Sequence, residues 1–172
     1  MKSILLLTWL INALTYSETQ WVHLGSTDID WGYKTPYRLT LLAPKGIHDA
    51  SDIRNGVQTM QFEIEWLVPV TTEEQVHQHF KELIENNLKD QESIKFNQII
   101  INRLVEKLPE ARRADRWHFY FSPDSGTQLV IDDQELHTII GSEVNRALHH
   151  AWLLKDPVTT AKLLNRLLKI GK

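Results

Sequence analysis

Two pairs of histidines are the side chains whose type best suits a metal ion. His77 and His79 are separated by one residue, and His149 and His150 are adjacent. Both pairs fall in segments of helical periodicity, where residues one or two positions apart point in different directions. The two rings of each pair therefore diverge and cannot easily share an ion. We expect surface histidines at both places, and we predict no metal site and no cofactor.

Two further polar groups have suitable residue types but lack the spacing that chemistry needs. Asp132, Asp133 and Glu135 could ligate calcium, but the calcium-loop spacing and its glycine are missing. A solvated hairpin turn is the simpler interpretation. Arginines in a polar stretch could bind an anion, although a solvated loop also explains them: Arg112, Arg113 and Arg116. No catalytic residue is predicted from either group.

Arg38 is the one side chain that we single out for ligand binding. It lies in an alternating segment, on the side opposite Tyr37, Leu39 and Leu41. If helices cover that side, an interior arginine is costly unless it meets an anion. Its planar guanidinium group would suit a carboxylate. The alternative is an arginine on the solvated face of a sheet.

Alternation of apolar and polar residues predicts the strands that would position these groups. The clearest strand runs from Met60 to Val68, where apolar side chains alternate with Gln61, Glu63 and Glu65. Such strict alternation indicates one buried face and one exposed face. The remaining strands are predicted near 37–41, 117–121, 129–131 and 136–140, and residues 47–57 are predicted to form a loop.

Apolar residues at helical spacing predict four helices. Thr71 and Glu74 form a capping box for the first, whose inward stripe is Val76, Phe80, Leu83, Ile84 and Leu88. The second spans about 93–108, with an inward stripe of Phe96, Ile99, Ile100, Leu104 and Leu108. The third runs from Ser142 to Leu154, and the fourth begins at Asp156-Pro157. Strands grouped beside grouped helices indicate an α+β protein with an antiparallel sheet covered by helices on one side.

Several segments together resemble bacterial chalcone-isomerase-like proteins. Tyr37-Arg-Leu-Thr-Leu-Leu-Ala-Pro-Lys is similar to an early strand of that family, and Phe62-Glu-Ile-Glu-Trp is similar to the next strand. The stretch from Gly126-Thr-Gln-Leu to Ala151-Trp-Leu resembles its C-terminal half. The resemblance implies an open-faced β-sandwich, in which helices pack on one face of a large antiparallel sheet and a ligand cleft lies between the layers.

The resemblance also bears on activity. Plant enzymes of this superfamily cyclise chalcones with an arginine upstream of the early strand, a threonine in it and a tyrosine elsewhere. No arginine lies between Glu18 and Tyr37, and Tyr37 occupies the position that corresponds to the threonine. Related non-catalytic members bind fatty acids. The resemblance therefore implies a non-catalytic protein with an apolar or fatty-acid-like ligand, whose acidic group we assign to Arg38. The alternatives are an intramolecular lyase or isomerase, and an envelope protein-interaction module.

The N-terminus predicts export. Lys2 precedes the mostly apolar segment Ile4 to Tyr16, which has the length of a signal-peptide core and is too short to span a bilayer. Thr15 and Ser17 place small residues before a cleavage site. We predict a signal peptide at residues 1–17, a single domain at 18–172 and a periplasmic or secreted protein without a transmembrane segment after cleavage.

Charge and composition exclude some partners and constraints. The formal net charge is -3, and no stripe of Lys and Arg indicates a nucleic-acid partner. The chain has no cysteine, so neither disulfides nor thiolate chemistry contribute.

Overall fold

A six-stranded antiparallel sheet forms the centre of the protein. The computed structural model describes residues 20–32, 34–46 and 50–153. The sheet has the order β1-β2-β3-β6-β7-β8, and a separate two-stranded sheet pairs β4 with β5. The strands are β1 Trp21–Trp31, β2 Lys34–Pro44, β3 Met60–Trp66, β4 Val70–Thr71, β5 Ala111–Arg112, β6 Arg116–Ser122, β7 Gly126–Ile131 and β8 Gln134–Ile139.

Helices cover one face of the six-stranded sheet. The helices are α1 Ala50–Asn55, α2 Glu73–Glu85, α3 Gln91–Val105 and α4 Ser142–Leu153. Ring contacts join Phe80 of α2 and Trp152 of α4 to Phe119 of β6, with centroids 5.8 and 5.1 Å apart. The predicted α+β class and the open-faced β-sandwich are therefore confirmed. The predicted fourth helix lies outside the described residues, as does the predicted signal peptide.

The period-two pattern predicted the faces of the central strands correctly. Tyr37, Leu39, Phe62, Ile64 and Trp66 are all at most 1% exposed and lie on the covered face. Their neighbours Arg38, Glu63 and Glu65 point to the other face. We call the face that carries Arg38, Glu63 and His118 the open face. Cross-strand register preserves the two faces, since Leu39 pairs with Ile64 and Ile64 pairs with Trp117.

Strand β1 was missed in the sequence, and its register explains why. It is eleven residues long and pairs with β2, but the register shifts between His23 and Gly25 and again between Ile29 and Trp31. Each shift is a β-bulge or similar irregularity, which interrupts alternation. The buried apolar residues Leu24 and Ile29 are consequently five positions apart, so no period-two signal is visible. The short α1 and β5 also lie where loops were predicted, and β4 includes Thr71, which was predicted as a helix cap.

The two central helices differ from prediction in detail. Helix α2 is capped by Thr72 with Gln75 as its reciprocal partner, one residue after the predicted pair. In α3 the buried residues are Asn97, Ile101, Leu104 and Val105. The predicted inward residues Phe96 and Ile99 are instead 82% and 66% exposed. Apolar residues occur on two sides of α3, and packing against α2 and α4 decided which side is buried.

Candidate ligand cleft

A cleft of about 310 Å³ opens at the end of the β6–β7 hairpin, between the loop after α1 and helix α4. We call it the α4 cleft. Helix α4 contributes polar residues spaced three or four apart, which therefore share one face of the helix. The apolar residues of the lining are Val57, Phe121, Pro123 and Ile140, and its polar residues on α4 are Ser142, Asn145, Arg146 and His149.

His149 is a buried member of the cleft lining. Its side chain is 2% exposed, and its ring stacks on Phe121 with centroids 5.4 Å apart. The Nε2 atom lies 2.8 Å from the carbonyl oxygen of Ile53. A carbonyl only accepts, so Nε2 carries the hydrogen and Nδ1 of the neutral ring is an acceptor. Burial lowers the pKa of His149 to about 4, against the opposing effect of the Ile53 hydrogen bond, and nearby His150 lowers it further.

Asn145 contributes a second acceptor. Its Nδ2 donates to the carbonyl oxygens of Ile139 and Gly141 at 2.7 and 2.9 Å. These two contacts fix the orientation of the amide, because its oxygen could not face two carbonyls. Asn145 Oδ1 is buried and has no hydrogen-bond partner among the described residues. An unpaired buried acceptor is unfavourable unless a partner reaches it.

Arg146 lies at the rim of the α4 cleft and is exposed. It also lines a second cleft of about 270 Å³, together with Lys89 and His150. Within the described part of the chain it forms no ion pair with a carboxylate. The opposite charge at the rim of the α4 cleft belongs to Asp124, which is also exposed.

A chain of hydrogen bonds crosses the covered core, away from the α4 cleft. Trp152 Nε1 donates to the Tyr37 hydroxyl at 3.4 Å, and that hydroxyl lies 2.9 Å from His79 Nε2. Since Tyr37 accepts from Trp152, its own hydrogen is available to His79. Burial lowers the pKa of His79 to about 4, while Glu82 opposes the shift. Burial also raises the pKa of Tyr37. Tyr37 and Trp152 are fully buried, and His79 is 5% exposed.

The structure buries one histidine of each pair that we expected at the surface. His79 is 5% exposed and His149 is 2% exposed, so the expectation of surface histidines was wrong for both. The rings of the first pair diverge as predicted, since His77 bonds to the Leu108 carbonyl while His79 bonds to Tyr37. The rings of His149 and His150 instead lie in contact, with centroids 5.7 Å apart. No cluster of three metal-ligating side chains occurs among the residues that the structure describes.

Arg38 lies on the open face and not beneath the helices. Its Nε donates to Asp28 Oδ1 at 2.7 Å, and the two side chains are 45% and 47% exposed. The interior position on which its assignment depended is therefore not observed. The physical reason is that only the Tyr37 side of β2 packs against helices. Contact between Arg38 and a ligand stays a prediction, and such a ligand would have to lie on the open face.

The other polar groups lie where the sequence indicated. Asp132 and Asp133 both have positive φ values, 50° and 60°, and form the two-residue turn between β7 and β8. Such a pair of positive φ angles is typical of a type I′ hairpin. The three arginines are exposed, with Arg112 paired to Glu110 at 3.0 Å. Neither group reaches the α4 cleft.

Comparison with known proteins identifies the family. The sequence model described as chalcone isomerase-like matches residues 34–169, which is more than half of the chain. The chain belongs to the chalcone isomerase-like family. A solved structure of a fatty-acid binding protein from Arabidopsis thaliana is similar to it, with a TM-score of 0.65, 14% identity, and coverage of 87% of this chain and 90% of that chain. No curated protein matches the sequence.

The structural similarity confirms the chalcone isomerase-like fold that the sequence motifs implied. At 14% sequence identity, this similarity supports the fold but assigns no functional role to individual residues. Helices long and apolar enough to cross a membrane are absent from the described part of this family member.

Proposed function

We propose that this chalcone isomerase-like protein is a non-catalytic binder of an apolar or fatty-acid-like small molecule, which occupies the α4 cleft. The cleft itself carries the proposal. Its volume of about 310 Å³ lies at the lower end of the range of small-molecule sites. Four apolar side chains line it beside a larger number of polar and charged ones, so the lining suits a ligand that has both an apolar part and a polar group. The similarity to a fatty-acid binding protein supports the same class of ligand.

The rim of the cleft allows a test that leaves the core untouched. Val57 lines the cleft and is 60% exposed, so Val57→Lys should not disturb folding. A lysine there would place a hydrated charge against an apolar ligand. We expect saturable binding of medium-chain fatty acids or alcohols to the wild-type protein, and about tenfold weaker binding to Val57→Lys, a change of about 1.4 kcal/mol. Isothermal calorimetry measures both.

Val70→Lys is the matched control, because Val70 is 50% exposed and lies on β4, outside the cleft lining. It should bind as the wild type does. Equal weakening by the two lysines would contradict the site, and absence of saturable binding to the wild type would contradict the function. Weakening by Arg38→Ala alone would instead place the ligand on the open face.

An intramolecular lyase or isomerase is the enzymatic alternative. No arginine lies between Glu18 and Tyr37, and none is found among the buried residues that the structure describes. Both facts favour the non-catalytic function. Incubation with a chalcone provides the decisive measurement, since the spontaneous reaction gives a racemate and a stereoselective product would establish the enzyme.

A protein-interaction module is the third candidate, favoured by the exposed apolar residues Phe96 and Ile99 on α3. It becomes the leading candidate if no small molecule binds. Exposed apolar patches of this kind commonly mark contact surfaces.

We also propose that the protein is exported to the periplasm or secreted. Support comes from the sequence alone, namely Lys2, the apolar segment Ile4 to Tyr16 and the small residues Thr15 and Ser17. The region that matches the family begins at residue 34, after this segment. We expect N-terminal sequencing of the purified native protein to begin at Glu18. An intact Met1 in a cytosolic fraction would overturn the proposal.

A further inference from the structure

We infer that the ligand group reaching the floor of the α4 cleft is an uncharged hydrogen-bond donor, such as a hydroxyl or an amide N–H. This inference rests on the proposed binding of a small molecule in the α4 cleft and specifies the chemistry of its polar end. It depends on where hydrogens must lie on two buried side chains, His149 and Asn145.

Contacts within the protein determine which ring nitrogen of His149 remains available to a ligand. Its Nε2 hydrogen is occupied by the carbonyl oxygen of Ile53 at 2.8 Å. The remaining ring nitrogen, Nδ1, carries a lone pair, and the ring stays neutral at neutral pH because burial lowers the pKa of His149 to about 4. A Cβ added at Gly56 would lie 3.4–3.6 Å from Cε1, Nε2 and Nδ1 of this ring, so the glycine leaves space beside both ring nitrogens. His149 can therefore accept a hydrogen bond from a ligand but cannot donate one.

Asn145 leads to the same requirement. Both carbonyl contacts of its Nδ2, to Ile139 and Gly141, turn the amide nitrogen toward the end of β8. The oxygen is left buried and unpaired, and Asn145 belongs to the lining of the cleft. One helical turn separates Asn145 from His149 on the same face of α4. A donor at the cleft floor would satisfy an acceptor that is otherwise unpaired.

A carboxylate fits this floor poorly. Its oxygens only accept when ionised, so they would face the lone pairs of His149 Nδ1 and Asn145 Oδ1 in a region shielded from water. The cation in the described lining, Arg146, is exposed at the rim, where Asp124 adds the opposite charge. The buried acceptors therefore select against an anion, whereas the rim charges are weakened by solvent.

Three eight-carbon probes separate these chemistries at pH 8: octan-1-ol, 1-methoxyoctane and octanoate. The alcohol donates a hydrogen bond, the ether only accepts, and octanoate is ionised. By calorimetry we expect the alcohol to bind about three- to tenfold more tightly than the ether, as one hydrogen bond typically provides, and more tightly than octanoate. The alcohol, unlike the ether, should shift the ¹⁵N resonance of His149 Nδ1.

His149→Phe retains a ring against Phe121 but removes the Nδ1 acceptor and leaves Asn145 Oδ1, so the alcohol-to-ether ratio of affinities should fall below the wild-type ratio. The ratio is taken within one variant, which cancels any general loss of stability. His118→Phe, on the open face, should keep the wild-type ratio. Equal binding of alcohol and ether to the wild type, or tighter binding of octanoate, would overturn this inference while binding in the cleft stands. If none of the three probes binds saturably, the proposed function fails and this inference fails with it.

Discussion

Trp66→Ala should lower the free energy of unfolding by about 3–5 kcal/mol, the usual cost of removing a fully buried tryptophan. Trp66 is 1% exposed on the covered face of β3. Its ring lies 5.3 Å from Tyr37 and 5.1 Å from Trp117, centroid to centroid. Alanine would leave a cavity at the junction of three strands, where neighbouring backbones cannot move together to fill it. Urea denaturation followed by circular dichroism measures the loss.

Glu63→Ala is the matched control on the same strand. Its carboxylate points to the open face, 3.8 Å from Arg116 and 3.7 Å from His118. The open face lets solvent reach both pairs, and solvated ion pairs contribute little, so we expect a loss well under 1 kcal/mol. Similar losses for Trp66→Ala and Glu63→Ala would contradict the assignment of the two faces.

Trp66→Phe should be far milder than Trp66→Ala. The indole Nε1 of Trp66 is buried and has no hydrogen-bond partner among the described residues. Phenylalanine keeps most of the aromatic volume and removes this unpaired donor. If Trp66→Phe were as damaging as Trp66→Ala, the N–H would have a partner that contributes to stability.

Acid should destabilise the protein between about pH 6.5 and pH 4, because two histidines are buried as neutral rings. Burial lowers the pKa of both His79 and His149 to about 4. The unfolded chain binds these protons below about pH 6.5, but the folded protein does not bind them until about pH 4. Stability from this source is therefore complete above pH 6.5, falls as the pH drops and levels off below pH 4. At about 1.4 kcal/mol per pKa unit, each histidine contributes up to about 3 kcal/mol.

The contribution of the two buried histidines can be distinguished from that of the carboxylates by measuring how stability changes with pH in histidine variants. The charge of Glu82 opposes the lowering of the His79 pKa, whereas His150 adds to the lowering of the His149 pKa. Urea midpoints at several pH values should show a shallower slope in His79→Phe and in His149→Phe than in the wild type. A wild-type slope in both buried variants would contradict neutral burial.

The sequence predicted the central strands because the alternation that marks them depends only on neighbouring residues. Alternation in β3 and β6 reflects one covered face and one solvated face, and a solvated face requires nothing from distant residues. Bulges in β1 remove that signal, since the pairing with β2 compensates for an irregular sequence. In α3 the sequence offered two apolar sides, and the choice between Phe96 and Ile101 depended on contacts with other helices.

Burial of His79 and His149 was missed for a related reason, although a signal existed. His79 lies three residues after Val76 and four before Leu83, within the apolar stripe of α2. His149 lies four residues after Asn145 and three before Trp152, both of which are buried in α4. Helical spacing could have indicated that both rings point inward. Nothing local shows their partners, since Tyr37 is 42 positions from His79 and Ile53 is 96 positions from His149.

The sequence by itself determined the α+β class, the two faces of the central strands and the family motifs. All three follow from short-range spacing and from the solvation of individual side chains. Only the tertiary structure decided that Arg38 pairs with Asp28 on the open face and that His149 and Asn145 meet Val57 and Phe121 in a cleft. Those arrangements depend on which strands pair and on where α4 packs. Hydrogen-bond partners far apart in the sequence then fix which atoms remain free for a ligand.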